Sequence, residues 1–370
     1  MSNIKRNWYI LVSLTVAIIS IMVFNRTKTF IFYDLTMSWN AAHYAINYLD
    51  FGFVKRGLIG SLYRIINGSF SQESLFLFQL SFLLLFIAIT HYFFSKLELN
   101  KSFVYVLFIL SPATFMQFGS DFGRFDAFLV SLFMLSIIFR RNSWLFILFS
   151  TLGVLTHEIY TFALLPASFL LYLSERTDLP SLKEIIATSL KTKTLYILIV
   201  SILLVVSLGS YELGYEKIIE TFSRSSLPQA YIEHHTTNNT GFPLEIWTRS
   251  ISDNLDYTAH RLSLNISTVY MMFIYYFLLF YFRIIGVNFK KPQYYIILIS
   301  SFPMFILGTD WGRWLAFIFI SLFVIFIVTE RDKAADTSNK YLLAFSLYGP
   351  LGIGGFLPLF ILKFYVHNII

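Results

Sequence analysis

The residues able to do chemistry in this chain are few, and two groups of them share a spelling. Asp121-Phe122-Gly123-Arg124-Phe125 returns as Asp310-Trp311-Gly312-Arg313-Trp314, and the echo runs on to Phe128 and Phe317. An aspartate just ahead of an apolar run can cap a helix, with glycine in the first turn and arginine at the third helical position. A helix N-terminus offers unpaired N–H groups, glycine lets a ligand approach the backbone, and arginine supplies a planar fork for phosphate. The two corners are therefore expected to grip a phosphate-bearing molecule. The plainer reading makes Asp121 and Asp310 caps that pair locally with their arginines. Phe122, Phe125, Trp311 and Trp314 then belong to an aromatic belt at a membrane surface.

Three further stretches carry ionisable groups. In Asp50-Phe51-Gly52-Phe53-Val54-Lys55-Arg56-Gly57 two adjacent bases sit between glycines, suited to an anion, and Asp50 is either a general base or their counter-ion. In Thr156-His157-Glu158 a histidine and a glutamate adjoin between apolar runs; buried together they form a general base or a satisfied structural pair. No second histidine follows at zincin spacing. In the long polar stretch 211–265, Arg249 and Arg261 lie near helix ends and are second-tier phosphate contacts, and His234-His235 read as exposed loop rather than metal ligands.

The elements that must hold these groups are apolar. Hydrophobic residues make up 56% of the 370 positions and charged ones 13%, against globular shares of roughly 45–50% and 25%. Runs of the length needed to cross a bilayer, about 17–25 residues, recur. The expected spans are 8–24, 74–94, 102–118, 125–139, 143–156, 158–173, 194–210, 266–284, 293–309, 311–328 and 341–362, the last interrupted by Gly349-Pro350 and read as either broken or re-entrant. The fold expected is thus all-α, a polytopic membrane protein of about eleven helices (10–12), forming one domain over 1–370. A first outer loop covers 25–73, with an interfacial helix at 57–67, and a large outer loop covers 211–265. The first run follows Lys5 and Arg6 without a small-residue cleavage site and reads as an uncleaved helix.

With the N-terminus inside, Arg140, Arg141, Arg176, Lys183, Lys191, Lys193, Lys290, Lys291 and Lys333 fall in short inner loops, as the positive-inside rule expects. Every motif described above then falls on the outer side. The net charge of +7 is dispersed, which argues against nucleic acid as a partner. The absence of cysteine excludes disulfides, thiolate metal sites and cysteine nucleophiles.

Together Lys55-Arg56, Arg124, Arg313, the large loop 211–265 and the many apolar spans resemble the bacterial O-antigen and capsular polysaccharide polymerases of the Wzy type. The resemblance is one of architecture and covers the whole chain. It implies a multi-pass inner-membrane glycosyltransferase, N-terminus cytoplasmic and active face periplasmic. It implies, too, a substrate of lipid-pyrophosphate-linked oligosaccharide repeat units, with membrane lipid, a chain-length regulator and a flippase as partners. No cofactor is implied; a divalent metal is left open. Chemistry on the outer face meets no nucleotide sugars, so the donor is lipid-linked and leaves as a phosphate or pyrophosphate. Lys55, Arg56, Arg124 and Arg313 suit that leaving group, and Asp50 or Glu158 the acceptor's proton. Three alternatives use the same residues: a GT-C-type glycosyltransferase with a lipid-phosphate-sugar donor, for which Asp34 and Asp50 would serve; a flippase or transporter; and an outer-face acyltransferase with His157 as base.

Overall fold

A computed structural model describes residues 2–24, 40–68, 71–177, 181–208, 220, 251–262, 266–308 and 310–351. Asp34, His234, His235, Arg249, most of the 211–265 loop and the stretch 352–362 lie outside the described residues, as does the side chain of Arg261. The described residues are helical and include no strand. In chain order the helices are α1 (Ser2–Phe24), α2 (Asn40–Ala45), α3 (Tyr48–Phe51), α4 (Gly57–Asn67), α5 (Gln72–Lys96), α6 (Phe103–Ile109), α7 (Phe115–Ser120), α8 (Asp126–Ile138) and α9 (Ser143–Thr156). Then come α10 (Ile159–Ala163), α11 (Leu165–Ser174), α12 (Leu182–Lys191), α13 (Lys193–Leu208), α14 (Ile251–Leu262), α15 (Ile266–Ile285), α16 (Pro292–Leu307), α17 (Trp311–Thr329) and α18 (Arg331–Ala335). A 3₁₀ helix, Lys340–Tyr348, follows.

Among the described residues two helices are long and apolar enough to cross a bilayer: Glu73–Lys96 within α5, and α17. A third is reached if α12 and α13, bent by 80° at Thr192, count as one span. The shorter apolar stretches of 10–17 residues include Trp8–Met22 within α1, Met271–Ile285 within α15, and α8, α9, α11 and α16. Local chemistry accounts for the starts of several. Ser71 accepts from the Ser74 N–H at 3.2 Å ahead of α5, and Asn142 accepts from Trp144 and Leu145 ahead of α9.

Two runs that read as single spans are broken, both at proline. The stretch 102–118 divides into α6 and α7 at Ser111-Pro112. The stretch 158–173 divides into α10 and α11 ahead of Pro166, which has no N–H to give the Phe162 carbonyl. That oxygen accepts instead from Ser301 of α16 at 3.4 Å, and its neighbour Ala163 accepts from Ser321 of α17 at 2.7 Å. Hydroxyls on neighbouring helices thus re-satisfy backbone freed in an apolar interior.

The core is built on α17. It is apolar on every side, and each residue from Trp311 to Ile327 is buried. Around it pack α10, α11, α15 and α16, while α8 lies between α5 and α9. Helix α1 packs on α7 closely enough that a Cβ on Gly119 would meet the Ala17 carbonyl at 2.5 Å. This arrangement brings the starts of α8, α10 and α17 to one end of the molecule, with α4 laid against α9 beside them. The chemically capable residues gather at that end.

Candidate functional site

The two echoed corners meet, but they are not built alike. In the second, Asp310 precedes α17 and Arg313 is its third residue; the aspartate makes no side-chain capping bond. In the first, Asp121 ends α7, Gly123 sits in the left-handed region at φ 90°, and Arg124 lies in the turn before α8. Glycine takes that conformation without the cost a Cβ adds. The turn is tied down by the Tyr44 hydroxyl, which donates to the Gly123 carbonyl at 2.7 Å, and by the buried Gln79 amide packed against it. Neither aspartate therefore caps a helix through its side chain. The aromatic-belt reading fails too, since Phe122, Phe125, Trp311 and Trp314 are all buried inside the protein.

Both aspartates turn to arginine. Arg124 Nε lies 2.6 Å from Asp121 Oδ2, and Arg124 Nη1 donates to Asp310 Oδ2 at 2.9 Å. Arg313 binds the same Asp310 oxygen and spreads its other two nitrogens over Asp126, with Nε–Oδ2 at 2.7 Å and Nη2–Oδ1 at 2.5 Å. Asp121 is 4.0 Å from Arg313 Nε. Two guanidiniums thus face three carboxylates. Burial pushes the Asp121 carboxyl up, and the Asp126 and Asp310 charges oppose the arginines that would lower it. For Asp310 burial acts in the same direction, but Arg124 and Arg313 outweigh it and hold the carboxyl below the usual range.

A second group adjoins the first on its more open side. Arg56 opens α4 in the left-handed region, φ 61°, and its Nε donates to both Glu158 oxygens, at 3.1 and 3.0 Å, while Nη2 binds Oε1. Left-handed backbone costs a non-glycine residue roughly 1–2 kcal/mol, and the bidentate pair offsets it. Glu158 has 39% of its side chain exposed, against 3–4% for Arg124 and Arg313. Lys55 beside it is lowered by burial, an effect the Glu158 charge partly reverses.

His157 lies 3.3 Å from Glu158, but its Nδ1 accepts from the Ile159 N–H at 3.2 Å and so has no proton to share there. Burial and the Arg56 charge push this imidazole down to about 3. The partner of Glu158 is therefore Arg56 rather than His157. His43 is also buried and lowered, by desolvation first, then by Arg56, Arg124, His157 and Arg313. The two histidines feel the charges of both ionic groups.

Asp50 stands apart. It is exposed, and Asn47 donates to it at 2.8 Å. The segment 57–67 is the helix α4; it buries Ile59, Gly60, Ser61 and Tyr63 and exposes Ile65 and Ile66.

Sequence reasoning missed Asp126, Gln79, His43 and Tyr44. Asp126 had a signal: an acid inside the apolar run 125–139, where charge is costly unless paired. Gln79 had none, because its role comes from packing against a turn contributed by another part of the chain. Among the described residues no three His, Asp or Glu side chains gather as a metal-ion site. Summed over Lys55, Arg56, Arg124 and Arg313 against Asp121, Asp126, Asp310 and Glu158, the charges balance. That is the condition for keeping so many ions in an apolar molecule. Comparison of the chain with protein-family models, with curated proteins and with solved structures gave no match, so its function rests on these residues alone.

Proposed function

We propose that this chain is a multi-pass inner-membrane glycosyltransferase that joins lipid-pyrophosphate-linked oligosaccharide repeat units into a surface polysaccharide. In this reading some eleven segments cross the bilayer, the N-terminus is cytoplasmic, and the ionic end faces outward. The observation that carries it is the pairing of Arg56 with Glu158, beside Lys55, at the more open edge of a charge-balanced cluster. Arg124 and Arg313 are held by aspartates deep in the cluster and brace the scaffold; Arg56 and Lys55 stand at its more open edge, where a ligand can compete for them. A pyrophosphate arriving at Arg56 competes with Glu158 for the guanidinium, and the displaced carboxylate becomes a base. The acceptor hydroxyl oxygen then attacks the anomeric carbon of the donor. Its proton passes to Glu158, the sugar–oxygen bond breaks, and the electron pair leaves with the pyrophosphate held by Arg56 and Lys55. Asp50, exposed nearby in sequence, is the second candidate base.

The test supplies the purified chain in nanodiscs with lipid-pyrophosphate oligosaccharide. Longer saccharides on the lipid are expected, with Arg56→Ala and Glu158→Gln each losing most of the turnover at near-normal protein yield. Consumption of a lipid-phosphate monosaccharide with no chain extension would shift the reading to a GT-C-type enzyme, and no reaction with either donor would remove both. Orientation is tested separately. A cysteine at Asn239 should react with an impermeant thiol reagent in intact spheroplasts, whereas one at Asp336 should react only after lysis.

A further inference from the structure

The end of the molecule opposite the ionic cluster carries a helix that the reaction does not use. Helix α12 is ten residues long, begins on a Ser181 cap that accepts from Glu184 N–H at 3.3 Å, and turns by 80° into the long apolar α13. Its residues divide by face. Ile185 is buried against the end of α11, whereas Leu182, Ile186 and Leu190, spaced i, i+4, i+8, are exposed at 42%, 51% and 57%. One side of a helix so spaced forms a continuous apolar stripe. Lys183, Glu184 and Lys191 put charge on the rest of the helix, and Lys193 stands at the bend. The face of α13 leading away from the bend is apolar and exposed, through Tyr196, Ile197, Val200 and Leu204. Nearby at this end are Arg140, Arg141 and Arg176, set against Glu175, so base exceeds acid.

We infer that α12 lies in the membrane interface, with Leu182, Ile186 and Leu190 in the acyl boundary, and that Lys183, Lys191 and Lys193 bind anionic lipid headgroups. Three observations select lipid over a protein partner. Exposed apolar residues run on from Leu190 past the bend to Tyr196, Ile197 and Val200, a right-angle turn is what a chain makes on leaving a bilayer, and the excess of base complements an anionic leaflet. This goes beyond the reaction proposed above and does not depend on it, resting only on the membrane reading.

The test uses the full-length chain, which has no cysteine, in nanodiscs of phosphatidylcholine with or without phosphatidylglycerol. A nitroxide on Ile186→Cys should be relaxed by lipid-soluble oxygen and shielded from a water-soluble nickel complex, and one on Glu184→Cys should show the reverse. Replacing Lys183, Lys191 and Lys193 with Gln should weaken the preference for phosphatidylglycerol around the protein by about fivefold per lysine. Equal water access at both labels would overturn the placement. Dipolar broadening at position 186 would give the stripe to a second copy of the chain, and an unchanged lipid preference in the triple variant would remove the headgroup role. The Glu184→Cys protein serves as the folding control.

Discussion

At the scale of single residues, the arginines divide by how deeply their partners are buried. Arg313 spends its guanidinium on Asp126 and Asp310. Removing it strands the buried Asp126 carboxylate and leaves Asp310 to Arg124 alone, and breaking a buried pair in this way costs about 3–5 kcal/mol. Arg313→Ala should therefore lower membrane yield, and Arg313→Leu combined with Asp126→Leu should recover part of the loss. Thermal unfolding midpoints of the two singles and the double in detergent form the cycle; strict additivity would mean the pair is not coupled. Arg56 differs because its backbone is strained. Arg56→Gly and Arg56→Ala both lose the Glu158 partner, but glycine relieves the left-handed φ, so the Gly variant should be the more stable by about 1 kcal/mol. Both should be inactive in chain extension. An active Arg56→Ala enzyme would leave this pair with a structural role only.

At the scale of elements, what positions the open edge of the site is how α4 sits. Gly60 is packed so close to the α2–α3 connection that a Cβ would meet the Ile46 carbonyl at 1.9 Å, and a backbone oxygen cannot step aside. At Gly57 the same atom would meet the Tyr48 ring at 2.5 Å, and a ring can rotate. Gly60→Ala is expected to displace α4 and carry Arg56 away from Glu158, losing more stability than the about 1–3 kcal/mol usual for overpacking. Gly57→Ala should cost less. Comparing unfolding midpoints and elongation rates of the two variants checks the order, and equal effects would show that α4 adjusts freely. Gly153 serves the other side of the pair. It lets the Tyr160 ring lie against α9, where a Cβ would come within 2.5 Å of it, and so fixes the turn that presents His157 and Glu158.

For the whole molecule the balance of charge makes pH the informative variable. His157, with an ordinary value of 6.5 lowered to about 3, is neutral in the fold and takes up a proton only on unfolding. Between those values the unfolded chain binds more protons than the native one, so stability falls as pH drops from about 6.5 toward about 3. His43 adds to the slope in the same direction, and Asp310, held low by its arginines, extends it to more acid pH. The unfolding midpoint in detergent should decline steadily over this window, and His157→Gln should flatten the decline. An unchanged slope in that variant would mean that the histidine is not buried in its neutral form.

The sequence by itself determined the composition, the helical class, the positions of most apolar helices and the identity of nearly every ion at the site. Periodicity and cost explain why. Apolar runs specify helices, and a charge in such a chain stands out. Helix α9 ran over the expected residues 143–156, and α4 over 57–67. The tertiary structure alone decided the pairings. Arg313 meets Asp126 across 187 positions, and Glu158 takes Arg56 rather than the histidine beside it. It also decided that two stretches spelled alike become a turn and a helix start, because Gly123 adopts a left-handed conformation under Tyr44 and Gln79 while Gly312 lies inside α17. Partner choice among buried ions depends on which helix ends are packed together, and no local pattern in the chain encodes that.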